Sequence, residues 1–102
     1  MIFRQGDVLV VSVDSIPSDV TAVKRENGAV VLAHGEVTGH CHAIKNRVAK
    51  FFETAKGDRF LDLKQQSALT HQEHGTINIP AGKYKVIRQR EYTPEAIRNV
   101  AD

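Results

Sequence analysis

Apolar residues in this chain fall into short runs divided by turn-forming residues. Asp7 to Val13 reads DVLVVSV, a β-branched run apolar on both faces, which predicts a central strand. Ile16-Pro17-Ser18-Asp19 breaks it. Thr21 to Arg25 and Ala29 to Ala33 flank Glu26-Asn27-Gly28, and Asn-Gly between extended runs is a strong hairpin signal. Gly35 and Gly39 bracket Glu36-Val37-Thr38 and mark tight backbone geometry. From Arg47 to Thr54, Val48 and Phe52 share one face and Ala49 and Phe51 the other, so burial should be uneven. Lys56-Gly57-Asp58 is a turn before a strand from Arg59 to Leu63. Ser67 to Thr70 and Thr76 to Ile79 are short extended segments. Pro80-Ala81-Gly82 turns the chain into Lys83 to Tyr92, where Tyr84 and Val86 alternate but Ile87 shifts the apolar parity, as at a bulge or an edge strand.

The end of the chain has a different period. Thr93 can cap, Pro94 suits a first helical position, and Glu95 favours the positive helix end. Ala96, Ile97, Val100 and Ala101 then share one helical face, so a short helix is expected over 93–101. The whole predicts an all-β fold, a small barrel or two-sheet sandwich, closed by that C-terminal helix. With 102 residues there is room for one core, so residues 1–102 are read as one domain. Aromatics are few and Trp is absent, which leaves packing to Val, Ile and Leu.

Charge and cysteine narrow the setting. A formal net charge of +2 is too small to imply nucleic acid by itself. Cys41 is the one cysteine, so no intrachain disulfide forms and a reducing compartment fits best. No apolar stretch looks like a signal peptide or a spanning helix. A cytoplasmic protein without membrane contact is expected.

The most specific chemistry lies in the histidines. Four of the five fall into two tight pairs, Gly39-His40-Cys41-His42 and Thr70-His71-Gln72-Glu73-His74-Gly75. Imidazole is the commonest metal ligand, so such clustering in a polar chain points to a metal. On an extended segment His40 and His42 share a face and form a two-nitrogen clamp, while Cys41 turns away to pack. Thr70-His71-Gln72-Glu73 fits a capping box, whose single helical turn would bring His71 and His74 to one side. His40, His42, His71 and His74 are therefore the expected metal ligands. Zinc is the first choice, and copper, nickel or iron also accept imidazole. Four imidazoles around zinc make a closed structural site, whereas three plus water permit hydrolytic chemistry. Glu73 and Glu36 are the candidate general bases, or partners that orient a ring. His34, one strand step before Glu36, is a fifth potential participant. The residues leave open whether the protein is an enzyme.

Taken in order, the segments Arg4-Gln5-Gly6-Asp7-Val8-Leu9, Gly35 to His42, Leu69 to His74, Pro80 to Val86 and Gln89 to Tyr92 resemble a group of small bacterial and phage-borne proteins of unknown function. G-H-x-H and T-H-x-E-H are the most specific parts of that resemblance. It implies that His40, His42, His71 and His74 belong to one shared feature, and it supplies no activity. Gly75 to Gly82 and H-x-H also resemble parts of the cupin motifs. The acid expected soon after H-x-H is missing, and Lys85 stands where a cupin's last histidine would be, so no further cupin ligand carries over.

A different class of function rests on Lys83, Lys85, Arg88 and Arg90, near Tyr84 and Tyr92. This basic last strand could bind nucleic acid or a partner protein without catalysis. An uneven edge strand could also pair with its own copy as a homodimer.

Overall fold

The computed structural model describes residues 1–35 and 39–89 of the chain. The named elements among them are strands, which follow the short β-branched and aromatic runs closely. They are β1 (Ile2–Gln5), β2 (Val8–Ser12), β3 (Val20–Ala22), β4 (Val30–His34), β5 (Cys41–Ile44), β6 (Lys50–Thr54), β7 (Arg59–Leu63), β8 (Ser67–Thr70), β9 (Ile77–Ile79) and β10 (Gly82–Arg88). Two antiparallel sheets result. One has the order β1-β2-β10-β7-β6-β3 and the other β4-β5-β8-β9. The arrangement is the two-sheet alternative, and neither sheet closes into a barrel. The helix expected over 93–101 lies outside the described residues.

A single apolar cluster joins the sheets. Val8, Val10, Phe51, Leu61, Leu63, Tyr84 and Val86 come from the larger sheet, and Leu32, Ile44, Leu69 and Ile79 from the smaller. Alternation explains the selection, because every second residue of a strand faces the partner sheet. The uneven burial expected after Arg47 is present. Ala49 and Phe51 are buried, while Val48 is exposed and Phe52 only half-buried. Tyr84 is buried too, and its hydroxyl donates to the Pro80 carbonyl at 2.7 Å.

Three expectations need correction. Asn27 and Gly28 both adopt positive φ (51° and 78°), and Glu26 and Ala29 bond to each other across them. The turn is therefore a tight primed turn, as Asn-Gly predicts. Yet the flanking strands do not pair, since β3 bonds to β6 and β4 to β5. The turn carries the chain from one sheet to the other. Secondly, β10 is no edge strand, because it lies between β2 and β7 in unbroken register from Gly82 to Arg88. Ile87 sits on the half-buried outer face. The register instead shifts in β4, between Val31 and Ala33, opposite Ala43 and His42. Thirdly, β1 precedes the first strand expected from the pattern, and it supplies residues to the site described next.

Candidate metal centre

The turn joining β1 to β2 consists of Gly6 and Asp7, between the paired residues Gln5 and Val8. Gly6 has a φ of +60°, which only glycine adopts without strain at that point. The turn brings the last residue of β1 and the first residues after it against the start of β5 and the segment after β8. Both histidine pairs lie there.

The four rings do come together. His42 and His71 have centroids 4.4 Å apart, His71 and His74 4.6 Å, His42 and His74 5.9 Å, and His40 and His71 5.5 Å. β5 begins at Cys41, so His40 precedes the strand, and the pleat sends His42 inward, where it is 2% exposed. Cys41 is half-buried and free, and its backbone N–H donates to Gln72 Oε1 at 2.8 Å.

The second pair meets by a route other than the capping box. Thr70 is the last residue of β8, and its hydroxyl donates to the Ala43 carbonyl at 3.2 Å instead of capping a turn. Within the segment His71 takes the capping role. Its Nδ1 accepts from the backbone N–H groups of Glu73 at 3.0 Å and His74 at 3.3 Å. The result has bends in place of a helical turn, and it still puts the rings of His71 and His74 side by side. Glu73 does not reach back to Thr70. Its Oε2 lies 3.2 Å from His40 Nδ1, so Gln72 and Glu73 each tie this segment to the other histidine pair.

Gln5 organises the centre, and sequence reasoning gave it no role. It is 2% exposed. Its Nε2 donates to the carbonyls of Leu69 (2.8 Å) and Gly75 (3.0 Å), which bracket the second histidine pair. Its Oε1 stands 2.8 Å from His42 Nδ1. One amide thus fixes the buried ring and both ends of the T-H-Q-E-H segment. Asp7 opens the DVLVVSV run in sequence, yet its Oδ1 lies 3.6 Å from His42 Nε2. Its Oδ2 faces Arg88 Nη2 at 3.3 Å. The signal that could have found both residues was Arg4-Gln5-Gly6-Asp7, a polar run placed between two apolar ones.

Electrostatics follow from this packing. Burial pulls His42 down to about 4, His71 adds to the lowering, and Asp7 opposes it without prevailing. His71 is lowered as well, first by desolvation and then by His74 and His40. The neighbouring imidazoles thus add to the lowering at His42 and His71, and the four rings form a nitrogen-rich environment. Among the described residues, no three His, Cys, Asp or Glu side chains are set to hold an ion as they stand.

The remaining candidates lie elsewhere. His34 Nε2 pairs with Glu26, 3.2 Å from Oε1, in an exposed position. It lines a groove of about 440 Å³ with His40, Cys41 and Gln72. Glu36 is outside the described residues. In the basic stretch, Arg88 faces Asp7, Lys85 Nζ lies 3.9 Å from Asp58, and Arg90 is outside the described residues. No helix among the described residues is long and apolar enough to cross a membrane.

Compared with known proteins, the chain matches one family model, Domain of unknown function (DUF8820), over residues 4–89. No curated protein and no solved structure matches it.

Proposed function

The chain belongs to the family described as Domain of unknown function (DUF8820), and from the geometry of the histidine centre we propose that it binds a divalent transition metal. The observation that carries this reading is the meeting of four imidazoles from two separate segments, with neighbouring centroids 4.4 to 5.5 Å apart. Two of the rings have Nδ1 beside an acceptor oxygen, His40 at Glu73 and His42 at Gln5. Metal-binding imidazoles commonly have one nitrogen held in this way, which orients the other. Zinc is the ion of first choice, and copper, nickel and iron share the preference for imidazole.

Hydrolytic chemistry is the enzymatic form of the proposal. It needs an open coordination position and a base within reach of the bound water. Glu73 lies beside His40 Nδ1, where it orients a ring. The alternative role, an interaction module built on the basic strand, has less support because Arg88 and Lys85 already face carboxylates.

The test is metal analysis of protein purified without a polyhistidine tag, followed by zinc titration against a chromophoric chelator. Near-stoichiometric binding is expected, with at least a tenfold loss of affinity in the His42→Ala, His74→Ala double variant. A wild-type protein that leaves all zinc on a micromolar chelator would refute the proposal.

A further inference from the structure

We infer that the ion is anchored by Asp7, His42 and His74, a mixed carboxylate and imidazole set supplied by three segments, with His71 as a hydrogen-bond donor beside it. This rests on the metal reading above and changes its ligand set.

Gln5 fixes the tautomer of His42. Its Nε2 contacts two backbone carbonyls, at 2.8 and 3.0 Å, and carbonyls only accept. The amide therefore cannot be reversed, and the atom facing His42 Nδ1 is Oε1, a pure acceptor. Nδ1 must carry a proton. In the neutral ring the remaining nitrogen, Nε2, then presents a bare lone pair. That lone pair faces Asp7 Oδ1 at 3.6 Å, so two acceptors confront each other beside a ring that is almost wholly buried. Arg88 holds the other carboxylate oxygen at 3.3 Å and steadies the carboxylate from behind. A cation between Nε2 and Oδ1 removes the conflict. Two donors bound tetrahedrally at about 2.0–2.1 Å from one zinc lie roughly 3.3–3.4 Å apart, close to the separation observed.

His74 supplies the third donor; since no three such side chains among the described residues are set to hold an ion as they stand, its ring closes in as the ion binds. Its Nε2 lies 2.6 Å from the point where a Cβ on Gly6 would stand, and His42 Cε1 lies 3.3 Å from the same point. The missing side chain of Gly6 leaves room for these two rings at the turn that carries Asp7. His71 differs from both. Its Nδ1 accepts two backbone N–H bonds, so its neutral ring carries the proton on Nε2. That nitrogen can donate to a ligand of the ion and cannot bind the ion itself. Two imidazoles and one carboxylate leave coordination positions open. The carboxylate also moves the preference towards divalent first-row ions that take mixed nitrogen and oxygen donors.

The experiment uses the full chain and zinc ion as the probe. Long-range proton–nitrogen spectra of the wild-type rings should show, on one equivalent of zinc, Nε2 of His42 and His74 moving to the metal-bound range while His71 retains its Nε2 proton. Zinc competition should then show about a 100-fold loss of affinity in Asp7→Asn and less than tenfold in His71→Ala. Metal-bound shifts at His71 Nε2 in place of His42, or zinc affinity unchanged in a folded Asp7→Asn, would overturn this ligand set and leave the metal reading standing. No zinc binding by the wild type would remove both. Where loss of the Arg88 pairing unfolds Asp7→Asn, the wild-type ring spectra decide the imidazole ligands and the carbon shift of the Asp7 carboxylate on adding zinc decides the third; an unmoved carboxylate would overturn its role.

Discussion

Single residues at this centre act through geometry more than through charge. His42 binds its proton at about 4 in the folded chain, against an ordinary value of 6.5. Between those values the unfolded chain holds more protons, so stability of the metal-free protein rises with pH. The contribution is complete above about 6.5 and is lost as pH falls towards 4. At about 1.4 kcal/mol per unit, the loss is on the order of 3–4 kcal/mol. Urea unfolding in the presence of a chelator measures it, and His42→Asn should flatten the slope. Equal slopes for the two proteins would contradict the assignment. Gly6 gives a second prediction. Alanine there meets both a φ of +60° and His74 Nε2 at 2.6 Å. The ring can swing aside, so we expect a stability loss of about 1–2 kcal/mol from the backbone and at least a tenfold drop in zinc affinity, read by chelator competition. Unchanged affinity would mean that His74 is not needed where it stands.

At the scale of elements, the turns carry different loads. Gly28 has a φ of +78° and nothing within 4 Å of its missing side chain. Gly28→Ala should therefore cost about 1–2 kcal/mol through backbone strain alone. Zinc affinity should stay the same, in contrast to Gly6→Ala; a matching loss of affinity would show that the effect at Gly6 is not local. The pattern correctly marked the Asn27-Gly28 turn, and it marked β2, β6 and β7 within a few residues. It misjudged how strands pair. Asn-Gly predicts local reversal, but whether the flanking runs bond to each other depends on which sheet buries them. For the same reason the parity change at Ile87 indicated an edge, whereas β10 sits inside its sheet with one face only half-buried. The true irregularity, in β4 opposite His42, leaves Leu32 and Ala33 both buried. An apolar run reads the same with or without an extra residue, so sequence alone does not expose it.

At the scale of the molecule, the centre lies where the two sheets meet. Gln5 belongs to the six-stranded sheet, and its partners His42 and Leu69 belong to the four-stranded one. Its amide is a polar fastening between layers that otherwise associate through apolar contact. Gln5→Leu keeps the side-chain volume near the original but strands the buried Leu69 carbonyl and a buried ring nitrogen, and frees the part-buried Gly75 carbonyl. Each unsatisfied buried group costs about 1–3 kcal/mol, so we expect a loss on the order of 3 kcal/mol or more. Chemical denaturation gives the value, and a loss below about 1 kcal/mol would show that water replaces the amide without penalty. Zinc affinity should fall with it, since the tautomer of His42 is no longer set.

From its own letters the chain determined that it would be β-rich, with short strands, and that four histidines were its chemical focus. Those properties are local: side-chain alternation, β-branching and residue type act over a few positions. Tertiary structure alone decided that Gln5, Gly6 and Asp7 join those histidines, that His71 caps its own segment, and that Asn-Gly passes the chain between sheets. These depend on contacts between residues as far as 70 positions apart, as in Gln5 with Gly75. Such a contact forms only when strand pairing and burial have fixed both ends, and neither end carries a mark of the other.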